Sequence, residues 1–211
     1  MLKWKKAGLA LLLGIFILPL PLLSSAFVAW DQDLFLTLFR YHPSSWSTAL
    51  AVLTDLGSMI LWALVVVALW AFRKRNLATY LLITLAITLT VYVTMKYAVD
   101  RPRPFDIFPI DPLYRPFDPS YPSGHAMTVF AAAGIIGAKE KRLLVPLLVL
   151  AVIVGLSRVY IGVHFPYDVV CGAALGLLIA YFVNCLELEP LQQWVRRGLG
   201  RSGSTRGRTE P

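Results

Sequence analysis

Three histidines occur in the chain, and two of them stand beside residues that suit phosphorus chemistry. His125 closes "YPSGH" at the edge of a long apolar run, and His164 is followed four residues later by Asp168 in "HFPYD". Pro166 disfavours helix at Phe165, so His164 is predicted in a loop and Asp168 in the first turn of the next helix. A carboxylate accepting Nδ1–H would turn the Nε2 lone pair outward, the arrangement a nucleophilic imidazole needs. His125 then suits the proton donor to a departing oxygen. Lys96 and Arg103 in "KYAVDRPRPF" and Arg158 in "SRVYIGVH" are cations at predicted helix ends, where a bilayer repels charge and an anion would justify them. A guanidinium matches phosphate oxygens as a fork, and lysine adds a point charge. "PSGH" opens a helix, so Ser123, Gly124 and His125 are expected to offer free N–H groups to an anion, with Gly124 permitting close approach. The chemistry implied is attack of His164 on phosphorus, a phosphohistidine, and its hydrolysis by water with His125 as base.

The elements that position these groups belong in a membrane. Of 211 residues, 57% are hydrophobic and 15% charged, well on the apolar side of a soluble domain. Apolar stretches at 7–30, 54–72, 77–97, 124–138, 143–160 and 167–186 predict an all-α polytopic protein, a six-transmembrane-helix bundle. Fourteen of the twenty Lys and Arg fall at one set of ends: Lys3, Lys5 and Lys6; Arg73, Lys74 and Arg75; Lys139, Lys141 and Arg142; and five arginines beyond the sixth stretch. The positive-inside rule makes that side cytoplasmic, with both termini there. Asp31, Asp33, Asp100, Asp106, Asp111, Asp118 and Asp168 lie on the opposite side, together with all three histidine- and arginine-bearing stretches. This asymmetry accounts for the net charge of +8 without a nucleic-acid partner. Residues 1–190 are expected to form one membrane domain, with an interfacial segment and a disordered basic tail over 191–211. The first stretch also fits a cleavable signal peptide ending at Ser24-Ser25-Ala26, but its length favours a retained anchor. Residues 31–41 are expected to form a short interfacial helix with its apolar side toward lipid.

Lys96 with six residues before Arg103-Pro104, then Pro122-Ser123-Gly124-His125, then Ser157-Arg158 with five residues before His164 and three more before Asp168, resembles the type 2 phosphatidic acid phosphatase superfamily. All three signature motifs are present in order, across about residues 55–175, and "TDLGS" at 54–58 is similar to bacterial members. The resemblance implies a six-helix membrane fold and hydrolysis of a phosphate ester or diphosphate without a metal or other cofactor. It implies phosphate binding by Lys96, Arg103, Ser123, Gly124 and Arg158, with His164, His125 and Asp168 as nucleophile, acid and orienting carboxylate. No grouped carboxylates of the kind that hold magnesium stand in the sequence.

Other residues keep plainer readings. Arg101 and Arg115 are expected to pair with Asp100 or Asp118, and His42 is read as structural. Cys171 and Cys185 in one helix lie roughly 21 Å apart, too far for a disulfide. Gly172 and Gly176 suit close packing within the bundle in preference to a homodimer face, which stays open.

The expected partner is a phosphorylated lipid that keeps its tails in the membrane, with the site on the extracytoplasmic face. Undecaprenyl diphosphate is favoured, and phosphatidylglycerophosphate and phosphatidic acid are alternatives. Undecaprenyl-type members with Asp in place of Gly124 leave that choice open. A phosphotransferase could use the same histidines, and the Pro- and Asp-rich loop 104–121 could gate the head group.

Overall fold

The computed structural model describes residues 3–40, 47–186 and 188, without the side chains of 47–49 and 51. His42 and the expected segment and tail over 191–211 lie outside the described residues. Among those described, every regular element is helical. The α-helices are α1 (Lys3–Ile17), α2 (Ser25–Arg40), α3 (Ser47–Asp55), α4 (Met59–Ala71), α5 (Arg75–Val99), α6 (Pro104–Ile107), α7 (Gly124–Lys139), α8 (Leu144–Tyr160) and α9 (Pro166–Asn184). Four stretches are long and apolar enough to cross a membrane: Lys3–Leu23, Arg75–Ile107, Lys141–Tyr160 and Pro166–Asn184. α4 is apolar but shorter, and α7 has 16 residues.

The first apolar stretch does not run on to residue 30. Proline cannot continue a helix without losing a hydrogen bond, and at Pro19 and Pro21 the chain leaves α1 through a 3₁₀ turn (Leu20–Leu23), then restarts at Ser25. The next segment also differs from expectation. α2 begins earlier and turns Asp31 and Phe35, four residues apart and both fully buried, into the protein. Phe35 joins Phe39, Phe108 and Phe165 in an aromatic cluster.

α7 lies at the centre, packed by α5, α8 and α9, with four alanines and a glycine among its ten buried residues. Its closest neighbour is α9, and Gly172 and Gly176 are the reason. A Cβ on Gly172 would stand 2.5 Å from the carbonyl oxygen of Ser123, and one on Gly176 would stand 2.4 Å from that of Met127. The pair therefore serves packing inside the bundle. α1 lies on α9, with Gly8 and Gly14 against Phe182 and Leu178. Along α5, Thr79, Thr84 and Thr90 return their hydroxyls to carbonyls four residues back, which pairs these three groups within the helix rather than leaving them to the apolar surroundings. Cys171 and Cys185 are free thiols.

Candidate active site

Four helix ends meet at one end of the bundle: the C-termini of α5 and α8, and the N-termini of α7 and α9. The basic clusters at 73–75 and 139–142 lie at the opposite ends of the same helices, where Lys139 Nζ sits 3.8 Å over the ring of Tyr80. The sequence builds the α9 end locally. Pro166 occupies the first helical position, and Asp168 Oδ2 accepts the backbone N–H of Phe165 at 2.9 Å, closing the N-terminus. The carboxylate expected to orient His164 is thus also the helix cap. Arg103, Pro104 and Asp106 repeat the device at α6, with Arg103 N–H donating to Asp106 Oδ2 at 2.9 Å.

His164 is 2% exposed, in the turn between α8 and α9. Its Nδ1 stands 3.6 Å from Asp168 Oδ2 and 3.4 Å from Ser120 Oγ. The Ser120 hydroxyl donates to Asp168 Oδ2 at 2.5 Å, which leaves its lone pairs toward Nδ1. Asp168 thus reaches the imidazole beside an intervening hydroxyl, rather than by the direct bond the sequence suggests. Burial holds His164 well below the ordinary histidine range; Asp168 pulls it back up, and Arg103, Lys96 and Arg158 press it further down. The ring is neutral at physiological pH, as a nucleophile requires.

The cations converge as expected, but two already hold a carboxylate. Lys96, 2% exposed, reaches Asp118 Oδ2 at 2.9 Å and donates to the carbonyl of Pro119. Arg103 donates to Asp118 Oδ1 at 2.7 Å, to the Asp118 carbonyl at 2.6 Å and to the Val163 carbonyl at 2.7 Å. The Tyr92 hydroxyl donates to Asp118 Oδ2 at 2.6 Å. Burial pushes the Asp118 carboxyl up, but the hydrogen bonds from Lys96 and Tyr92 and the charges of Lys96 and Arg103 hold it below the usual carboxylate range. Arg158 differs. It is 2% exposed, donates Nη1 to Thr54 Oγ1 at 2.8 Å and faces the Tyr114 ring at 5.3 Å. Its Nε has no hydrogen-bond partner, and no carboxylate lies within 4.0 Å of it among the described residues.

His125 lies in the first turn of α7, and both imidazoles feel the charges of Lys96, Arg103 and Arg158. The Ser123 N–H, expected to be free, donates to the Asp168 carbonyl at 3.0 Å, and Ser123 Oγ accepts from Ala126 N–H at 3.5 Å. The N–H groups of Gly124 and His125 remain at the open end of the helix. The room freed by the missing Cβ of Gly124 is filled by Tyr92, whose Cε2 would lie 2.6 Å from it. A cavity of about 150 Å³ between α4, α5 and α7 touches His125, and one of about 680 Å³ bounded by Tyr97, Phe105 and residues 115–119 has Asp118 in its wall.

Arg101 corrects the sequence reading. It pairs with neither Asp100 nor Asp118 but bridges Asp31 and Asp168, at 2.7 Å each. Arg115 faces Asp111 at 3.9 Å. Ser120 and Tyr92 carried no sequence assignment, Asp31 stood only among the carboxylates opposite the basic clusters and at the start of the expected interfacial helix, and Thr54 only within the noted "TDLGS".

A family model described as the PAP2 superfamily matches residues 77–189. The chain is 32% identical over 167 residues to an undecaprenyl-diphosphatase of Sulfolobus acidocaldarius, covering 76% of this chain and 80% of that protein. It is 31% identical over 147 residues to phosphatidylglycerophosphatase B of Bacillus subtilis, covering 63% and 70%. The crystal structure of a transmembrane PAP2-type phosphatidylglycerolphosphate phosphatase from Bacillus subtilis shares the fold, with a TM-score of 0.70, 24% identity, and coverage of 93% of this chain and 99% of that one.

Proposed function

The chain belongs to the PAP2 superfamily, and from that membership we propose how its buried cations handle a lipid phosphate. The protein is a multi-pass membrane enzyme, a phosphatase of phosphorylated lipids, with undecaprenyl diphosphate the favoured substrate. Residues 3–23, α4, α5, α7, α8 and α9 make six crossings with both termini cytoplasmic. The site opens on the extracytoplasmic face, a sidedness supported by the basic clusters at the far helix ends.

Lys96, Arg103 and Arg158, with Ser123 and the N–H groups of Gly124 and His125, hold the terminal phosphate. His164 Nε2 attacks its phosphorus, and the bond to the lipid-side oxygen breaks as His125 protonates that oxygen. Asp168 and Ser120 hold Nδ1–H and stabilise the charge that forms on the ring. Water then attacks the phosphohistidine, giving its proton to His125 and releasing inorganic phosphate. The observation that carries this reading is Arg158. A guanidinium 2% exposed, with an unpaired Nε and no carboxylate within 4.0 Å among the described residues, is costly unless an anion comes to it.

The test is phosphate release by purified protein in detergent with EDTA, comparing undecaprenyl diphosphate, phosphatidylglycerophosphate and phosphatidic acid. Release should survive EDTA and vanish in His164→Ala, with undecaprenyl diphosphate turned over fastest. Preference for phosphatidylglycerophosphate would move the substrate to the alternative suggested by the Bacillus subtilis relative. Phosphoryl passed to a lipid acceptor without release of phosphate would make the enzyme a transferase.

A further inference from the structure

Asp31 belongs to none of the three motifs and lies outside residues 77–189, yet it is fully buried within one side chain of the reacting centre. Its Oδ2 receives Arg101 Nη2 at 2.7 Å, while Arg101 Nη1 binds Asp168 Oδ1 at 2.7 Å. Its Oδ1 accepts the N–H of Tyr167, in the first turn of α9, at 3.0 Å. The guanidinium lies 4.1 Å from the centre of the Phe165 ring, which fixes the plane of the fork. All three charged side chains are at most 7% exposed, so water screens them little.

The balance of charge in this trio bears on the reaction. Arg101 paired with Asp168 alone would neutralise the carboxylate that must stabilise positive charge on His164 during attack. Asp31 takes the other arm of the fork, and the trio keeps a net charge of −1. On the reading that His164 is the nucleophile, we infer that Asp31 is a positioning residue for the reaction: it divides the charge of Arg101 and so leaves the trio net negative toward His164. A purely structural alternative is that Asp31 only ties α2 to α9. The two readings diverge once the charge of Arg101 is also removed.

The experiment measures kcat and KM for phosphate release from the preferred lipid, with vanadate affinity and melting temperature on the same preparations. Asp31→Asn keeps the shape but takes the trio to zero, and kcat should fall by about 10- to 100-fold, the range typical of losing an outer carboxylate that orients a reactive group. KM and vanadate affinity should hold, because Asp31 does not touch the anion seat. The double variant Asp31→Asn/Arg101→Gln restores −1 through Asp168 alone, and its kcat should rise above that of Asp31→Asn. A wild-type kcat in Asp31→Asn, or a double variant as slow as or slower than it, overturns the inference. If Asp31→Asn does not fold, the double variant decides alone: kcat within about tenfold of wild type supports the inference and a larger loss overturns it. Absence of turnover in wild type would instead count against the phosphatase reading.

Discussion

On the proposed reading Lys96 and Arg103 receive the phosphate, and Asp118 already holds both, so replacing it should tighten anion binding. It takes a charge-assisted hydrogen bond from Lys96 at 2.9 Å and another from Arg103 at 2.7 Å. Two such bonds contribute about 3–6 kcal/mol gross, and an asparagine in their place retains about 1–3 kcal/mol as neutral bonds. Asp118 is 30% exposed, and solvent screening reduces the difference to about 1–2 kcal/mol. Asp118→Asn should therefore bind vanadate roughly 5- to 30-fold more tightly than wild type. Titration calorimetry in detergent reads this directly. Unchanged or weaker binding would refute the reasoning, because Asp118 would then be arranging the cations rather than competing for them. The pH dependence has a defined sign. The folded carboxyl lies below its ordinary range, so the stability its ion pairing contributes is fully present above the unfolded value of about 3.9 and is lost as pH falls through the lower folded value. The difference in vanadate affinity compares two folded proteins, so it should stay flat from about pH 7 down to about 4, because the folded carboxyl remains ionised across that range.

Three glycines make further tests. Gly124→Ala places a Cβ 2.6 Å from the Tyr92 ring and should cost about 1–3 kcal/mol, seen as a lower melting temperature and relieved by adding Tyr92→Ala. Gly176→Ala meets backbone on α7 at 2.4 Å, which has no rotamer to give, so the loss should reach the upper part of that range of about 1–3 kcal/mol or beyond. Turnover should fall with it, while Gly8→Ala, facing only the end of the Phe182 ring at 3.3 Å, should keep wild-type turnover.

The sequence was most informative where the chemistry is local. The four-residue step from His164 to Asp168, with Pro166 between them, and the Ser123 start of α7 could be read from helix-end rules alone. The convergence of Lys96, Arg103 and Arg158 followed from counting alternate ends of apolar stretches. What escaped depends on partners far apart in the chain. Arg101 looked like a neighbour of Asp100, but the end of α5 aims it at residues 70 positions before and 67 after. Asp31 and Phe35, one helical turn apart, were the available sign that α2 has an inward face. A charge near a membrane edge reads equally well as solvated, and that obscured it. Asp118 and Ser120 sit in a loop without periodicity, where composition carries no geometry. The break at Pro19 and Pro21 was legible from proline alone and was hidden by the unbroken hydrophobicity around it.

The Arg101 bridge also sets an order of completion during synthesis. The chain emerges N-terminus first, so Asp31 and Arg101 can meet once the end of α5 has been made. Asp168 belongs to α9, the last helix described, and it arrives with the glycines that seat it against α7. Until then Arg101 has one carboxylate instead of two, and the turn bearing His164 has no cap on its far side. A nascent chain stopped before α9 thus holds Lys96, Arg103, Arg158 and His164 without Asp168, the carboxylate proposed to orient His164. On the proposed reading, closure of the bundle and alignment of His164 come together, with the same last helix.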